Sequence, residues 1–196
     1  MAKMKSLIFY GAREVSIEEV DRPTLEKPTD ALVKVTLSTI CGSDLHIYHE
    51  ELPIPPPFPI GHEFVGVIEE LGRDVVGLKE GDRVAVSCVV FCGQCYYCQR
   101  GLYGHCEKGG LYGCGPLMGN LGGAQAEYVR VPYAQLGLHK IPDELTDEQV
   151  LYVGDILTTG FTAAKNANIL PGDIVAVFGS GPVGLCAQVC SHLFGP

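Results

Sequence analysis

The chain has 196 residues, 46% of them hydrophobic, with 14 Lys+Arg against 23 Asp+Glu for a formal net charge of −9. That composition allows one domain of roughly 150 residues plus a remainder with a real core, and it excludes a disordered chain. An acidic balance without a Lys/Arg cluster predicts no nucleic-acid partner, because affinity for nucleic acid begins with neutralised phosphates.

From the start to about Lys140, short strand-like runs alternate with turn residues, which predicts an all-β, barrel-like domain. The apolar stretch Leu7 to Tyr10 is too short for a signal-peptide core, and no run approaches a membrane-spanning length. These features predict a cytoplasmic protein with no membrane contact. Its nine cysteines would then be reduced and serve metal binding or core packing. Ala31–Ser38, Phe64–Leu71, Arg83–Phe91 and Glu127–Val131 read as strands. Five prolines between Leu52 and Pro59 make that stretch a rigid extended loop, unsuited to a central strand, that presents Gly61-His62-Glu63.

After Pro142 the pattern turns helical. Thr146 followed by Gln149 resembles a capping box, and a second helical stretch runs from Asp155 to about Asn168. Ile174–Phe178 is a continuous apolar run suited to a buried parallel strand, and Pro182 opens a last helix.

Cys92, Cys95, Cys98 and Cys106 form the strongest local signal. Four thiolates with two-residue gaps suit a closed tetrahedral zinc site, which stabilises a loop and performs no chemistry. An iron–sulfur cluster also uses closely spaced cysteines, but no proline follows the fourth, so zinc is preferred. Spacing alone leaves His105 as an alternative to Cys106.

Cys41 and His62 each lie next to a glycine, where the backbone can approach closely, and Asp155 begins a helix far downstream. Singly, such residues are more often core or satisfied polar side chains than ligands. Gly179-Ser-Gly181-Pro182-Val183-Gly184 follows the apolar run and opens a helix. An ordinary tight turn has the same composition, but the context also suits a dinucleotide fingerprint.

Together these motifs resemble the zinc-dependent medium-chain alcohol dehydrogenases. The resemblance rests on Cys41-Gly-Ser43-Asp-Leu-His46, Gly61-His62-Glu63 with Gly66 and Val67, the four-cysteine lobe, Asp155 with Thr158-Thr159-Gly160, and the glycine-rich turn, all in family order. It implies a mixed α and β fold: a GroES-like β-barrel catalytic domain over residues 1–154, then a linking helix and the first βα unit of a Rossmann domain over residues 155–196.

The resemblance implies Cys41, His62 and Asp155 as ligands of a catalytic zinc, and the lobe as a second, structural zinc, giving two per chain. An aspartate as third ligand resembles the branch of secondary-alcohol and glutathione-independent formaldehyde dehydrogenases, and the lobe leans towards the latter. Glu63 would lie beside the metal, Ser43 would receive the substrate proton, and His46 would pass it to solvent. Thr159 would pack against a nicotinamide ring, with Gly179, Gly181, Pro182, Val183 and Gly184 around the pyrophosphate of NAD or NADP. The implied activity is hydride transfer between an alcohol or aldehyde hydrate and that cofactor, in an enzyme that is a homo-oligomer when full length.

The acidic residue that would hold the cofactor ribose is expected about 20 residues beyond the glycines. The chain stops before it, so the sequence reads as C-terminally truncated and inactive by itself. Two further classes stay open: a non-catalytic, zinc-stabilised scaffold module, and a zinc-free quinone reductase, which Cys41, His62 and Asp155 argue against.

Overall fold

In the computed structural model, which describes residues 2–196, β1 (Lys3–Gly11) turns back antiparallel on β2 (Glu14–Asp21). Met4, Ser6 and Ile8 point inwards between exposed lysines, the period-two signature of a half-buried strand. The proline-rich loop ends in β4 (Phe58–Pro59), which adds to the other side of β1 as an edge strand. An edge is where proline, lacking an N–H, does no harm to a ladder. The rings of Phe9 and Phe58 meet across this pair with centroids 5.3 Å apart.

The larger sheet has five strands. β3 (Ala31–Thr39) and β5 (Glu63–Leu71) pair antiparallel at its centre. β6 (Arg83–Val86) lies beside β5, with β10 (Leu138–Lys140) beyond it, and β9 (Tyr128–Val131) flanks β3. Val33, Phe64, Ile68, Val84 and Val131 form its apolar face and are almost fully buried. Phe64 packs edge-on against the buried Tyr112 ring at 5.5 Å. Fully burying one such ring stabilises by about 1.5–3 kcal/mol.

The expected strand Arg83–Phe91 is broken. At Ser87 the chain leaves the sheet, its N–H donating to the Gly137 carbonyl (2.9 Å) and its hydroxyl to the Val89 carbonyl (2.9 Å). The following residues form β7 (Val89–Val90), which pairs instead with β8 (Gly110–Leu111) and ties the four-cysteine loop at its base. Helix α1 (Gly42–Tyr48), absent from the sequence reading, follows β3 directly, and a single turn, α2 (Ala134–Gly137), follows β9. The anticipated capping box opens α3 (Asp147–Val150): the Gln149 N–H donates to Thr146 Oγ1 at 3.4 Å, and the Thr146 N–H donates to Gln149 Oε1 at 2.9 Å.

The chain divides into two compact units, Met1–Leu151 and Tyr152–Pro196. The second contains α4 (Ile156–Asn166), which follows Asp155, and α5 (Pro182–Ser191), with Pro182 in its first turn. The two helices meet at Gly160, where a Cβ would come 2.6 Å from the Ala187 backbone nitrogen. Ala187 and Cys190 are buried, whereas Val183, Val189 and Leu193 are exposed.

The expected strand Ile174–Phe178 does not form. These residues have no ladder partner among the described residues, and Ile174 and Phe178 are 100% and 98% exposed. An apolar run becomes a strand only when neighbouring strands take up its N–H and C=O groups. No helix among the described residues is long and apolar enough to cross a membrane.

Candidate metal centres

Two clusters of potential ligands lie in the first unit. In the lobe, one atom from each of Cys92, Cys95, Cys98 and Cys106 lies within 4.8 Å of the others. Cys95 Sγ is 3.9 Å from Cys106 Sγ. Sulfurs at ~2.3 Å around a tetrahedral zinc ion stand ~3.8 Å apart, so the spacing fits the closed site.

The backbone is already shaped around these sulfurs. The Cys92 N–H donates to Cys106 Sγ (3.2 Å) and the Gln94 N–H to Cys92 Sγ (3.5 Å). Backbone N–H groups of Cys98 and Glu107 hold the Cys95 thiol down to about 6, while burial and its sulfur neighbours push Cys98 up to about 12. A thiolate therefore forms readily at Cys95, Cys92 is lowered as well by the Gln94 N–H, and Cys98 resists deprotonation. His105 stays at the surface against the Tyr97 ring, and the fourth sulfur is that of Cys106.

The second cluster is built by strand register. In the β3–β5 pair Ser38 faces Phe64 and Thr39 faces Glu63. Cys41, two residues past the end of β3, and His62, just before β5, are thereby brought to the same end of the sheet. Cys41, His62 and Glu63 offer ligand atoms within 4.8 Å of one another. Gly61 makes the approach possible. Its φ is +100°, and a Cβ there would meet Gln125 Cγ at 2.5 Å, so no side chain fits.

His62 and Glu63 are each 1% exposed. A carboxylate in that setting is expensive unless compensated, and burial beside a thiol and an imidazole suits a shared cation. The donor set, one sulfur, one nitrogen and carboxylate oxygen, is one that zinc accepts. The cluster therefore passes the test of fit for the group that the sequence resemblance implies.

Helix α1 places three further side chains here. Ser43 Oγ lies 3.3 Å from His62 Nε2. His46, one turn later on the same face, is exposed and hydrogen-bonded through Nδ1 to the Glu51 carboxylate. Asp44, buried on α1, was not singled out in the sequence. Its Oδ2 accepts from the Cys41 N–H at 2.9 Å while Oδ1 lies 3.2 Å from His62 Nδ1. One carboxylate thus bonds the backbone of one candidate ligand and lies within ion-pair range of the ring of another, where metal-binding histidines generally have a partner. The available signal was an aspartate three residues after a ligand at a helix start.

The remaining predicted residues lie in the second unit. Asp155 is half-buried at the start of α4, and its Oδ1 accepts from the Thr159 hydroxyl at 3.2 Å. Thr159 itself is exposed. Gly179 has φ +95°, Gly181 caps α5, and a Cβ on Gly184 would lie 2.0 Å from the Gly179 carbonyl oxygen. The turn closes tightly on itself, with the α5 N-terminus behind it and Pro182 and Val183 exposed beside it.

This architecture has close relatives. Residues 27–143 match the alcohol dehydrogenase GroES-like domain. Along 98% of its length the chain is 41% identical to an uncharacterized zinc-type alcohol dehydrogenase-like protein of Bacillus subtilis, of which it covers 53%. An alcohol dehydrogenase from Thermus sp. ATN1 superimposes with a TM-score of 0.94 at 45% identity, over 98% of this chain and 56% of that one. A short chain alcohol dehydrogenase from Escherichia coli CFT073, solved with NADH, superimposes with a TM-score of 0.84 at 35% identity, over 98% and 54% of the two chains.

The chain belongs to the zinc-type, medium-chain alcohol dehydrogenase family, with a GroES-like domain and a mixed α and β fold. It spans about half the length of the relatives it matches.

Proposed function

We propose that this chain carries the metal-binding half of a zinc-dependent oxidoreductase that transfers a hydride between an alcohol or aldehyde hydrate and NAD or NADP. The observation that carries the reading is the convergence of Cys41, His62 and Glu63 with Ser43 Oγ at 3.3 Å from His62 Nε2. In this proposal Cys41, His62 and Asp155 are the protein ligands of the catalytic zinc, with Glu63 beside them, and the lobe cysteines hold a second, structural zinc.

A zinc ion with an open position supplies Lewis acidity that makes a bound hydroxyl easier to deprotonate. Ser43 Oγ would take that proton as it hands its own on, and His46, exposed on the next helical turn, would pass it to solvent. Asp44, 3.2 Å from His62 Nδ1, leaves Nε2 beside Ser43 and available to the zinc that the ring would hold. The burial of His62 and Glu63 keeps bulk water from the inner side of the site. The Gly179–Gly184 turn and the α5 N-terminus would hold the cofactor pyrophosphate, and Thr159, whose hydroxyl donates to Asp155, would pack on the nicotinamide.

The reading extends to a cytoplasmic enzyme that is a homo-oligomer at the relatives' length and has no nucleic-acid partner. The formaldehyde-dehydrogenase side of the family is its favoured substrate branch. This stretch of chain alone is expected to hold metal with little turnover, because Ile174–Phe178, which should brace the cofactor turn, has no sheet around it.

Metal analysis of the purified 196-residue chain tests the reading. Two zinc ions per chain, falling to one in His62→Ala, support it. One ion in the unaltered chain indicates the scaffold module, and none indicates the reductase.

A further inference from the structure

We propose that Gln125 is a positioning residue that sets the separation between Cys41 and His62, an inference that rests on the metal reading above. Gln125 lies in the loop before β9, far in sequence from either ligand, yet it is bonded to the segments that carry both. Its Nε2 donates to the Thr39 carbonyl at 2.9 Å, and its Oε1 accepts from Ser38 Oγ at 3.3 Å. Its own N–H donates to the Ile60 carbonyl at 3.1 Å, and the neighbouring Ala124 N–H donates to the Gly61 carbonyl at 2.8 Å. The first pair grips the end of β3 two residues before Cys41. The second pair grips the approach to His62.

Two details separate this arrangement from ordinary loop packing. Gly61 carries no side chain because Gln125 Cγ and N occupy that space, 2.5 and 2.8 Å from where a Cβ would be. The Gln125 carbonyl also accepts from the Leu7 N–H at 2.8 Å, anchoring the strap to β1. The β3–β5 ladder ends at Thr39–Glu63. Beyond that point no backbone pairing among the described residues fixes the distance between the two ligand segments, and Gln125 bridges them, with its side-chain amide on the end of β3 and its backbone N–H on the approach to His62.

The expectation is a selective loss at one site. Gln125→Leu keeps a side chain of similar volume, one atom shorter, and removes the amide, and Gln125→Glu keeps the acceptor for Ser38 but loses the donor to Thr39. Partners that orient metal ligands from outside the coordination sphere are commonly worth 10–100-fold in metal affinity. Each variant should bind cobalt(II) about 10-fold more weakly at the one-thiolate site, with unchanged binding at the four-thiolate lobe. The sites are told apart by their thiolate-to-metal absorption per ion. Ser38→Ala, which leaves the bond to Thr39, should stay close to the unaltered chain.

Equal weakening at both sites, or a one-thiolate site unchanged in a folded variant, would overturn the proposal. If Gln125→Leu does not fold, Gln125→Glu decides on the same readout. A chain that never shows the one-thiolate spectrum before any substitution sinks the metal reading itself.

Discussion

The lobe and the Cys41–His62–Glu63 cluster are both metal-shaped, but they are assembled differently. The lobe gathers its four sulfurs from fifteen consecutive positions, 92 to 106, and a short β7–β8 ladder with the packing of Tyr133 ties it to the rest. The other cluster depends on strand register, a glycine that admits a neighbouring backbone, one aspartate and one glutamine. A local site survives on spacing, whereas a distributed site is only as good as the frame that aligns it.

The largest expected effect tests the lobe's independence. Cys95→Ser should remove one bound ion per chain and make residues 92–106 the first place cut in limited proteolysis, with the ion at Cys41 and His62 retained. Loss of both ions would show that the two sites are coupled.

Phe64→Ala tests the frame from the opposite side. Phe64 is fully buried next to Glu63 in β5, and truncating a buried aromatic costs about 3–5 kcal/mol. The denaturation midpoint should fall accordingly, and metal at the distributed site should weaken before the lobe does. Asp44→Asn is subtler. The fold should persist, metal affinity at the distributed site should fall about 10–100-fold, and the lobe should be unaffected; a cobalt titration reads both.

The smallest effect lies at the sheet edge. Lys140 Nζ bonds Asp82 Oδ1 at 2.8 Å and holds that carboxyl below its usual 3.8. A carboxyl depressed in the folded state stabilises above its unfolded value, and that contribution is lost as pH falls through the folded value. Lys140→Met should therefore be slightly less stable than the unaltered chain at neutral pH, with the gap closing below about pH 4. Chemical denaturation at several pH values measures it.

Much of this was legible in the sequence because its causes are local. The capping box at Thr146, Pro182 in a first turn and the lobe cysteines all act within a few residues, and the structure has each in place. The prolines of the Leu52–Pro59 loop kept it out of the sheet except for the edge pair Phe58–Pro59. Helix α1 was missed because glycine, serine, aspartate, histidine and isoleucine are weak helix formers; its start is secured by the Asp44 bond to the Cys41 N–H. Asp44 and Gln125 were invisible for a related reason: their roles exist only once the β3–β5 register has formed. Ile174–Phe178 was misread because strand propensity describes one segment, whereas a strand needs a neighbour.

That last segment has a practical consequence. Five consecutive apolar residues, three of them valine or isoleucine within the run Ile174–Val177, lie outside any ladder among the described residues, all but the half-buried Val177 exposed, with no charge among them to keep other molecules away. Such stretches nucleate intermolecular cross-β stacking. Concentrated preparations of this chain should cloud on standing, and a lysine placed at Val175 should keep them clear.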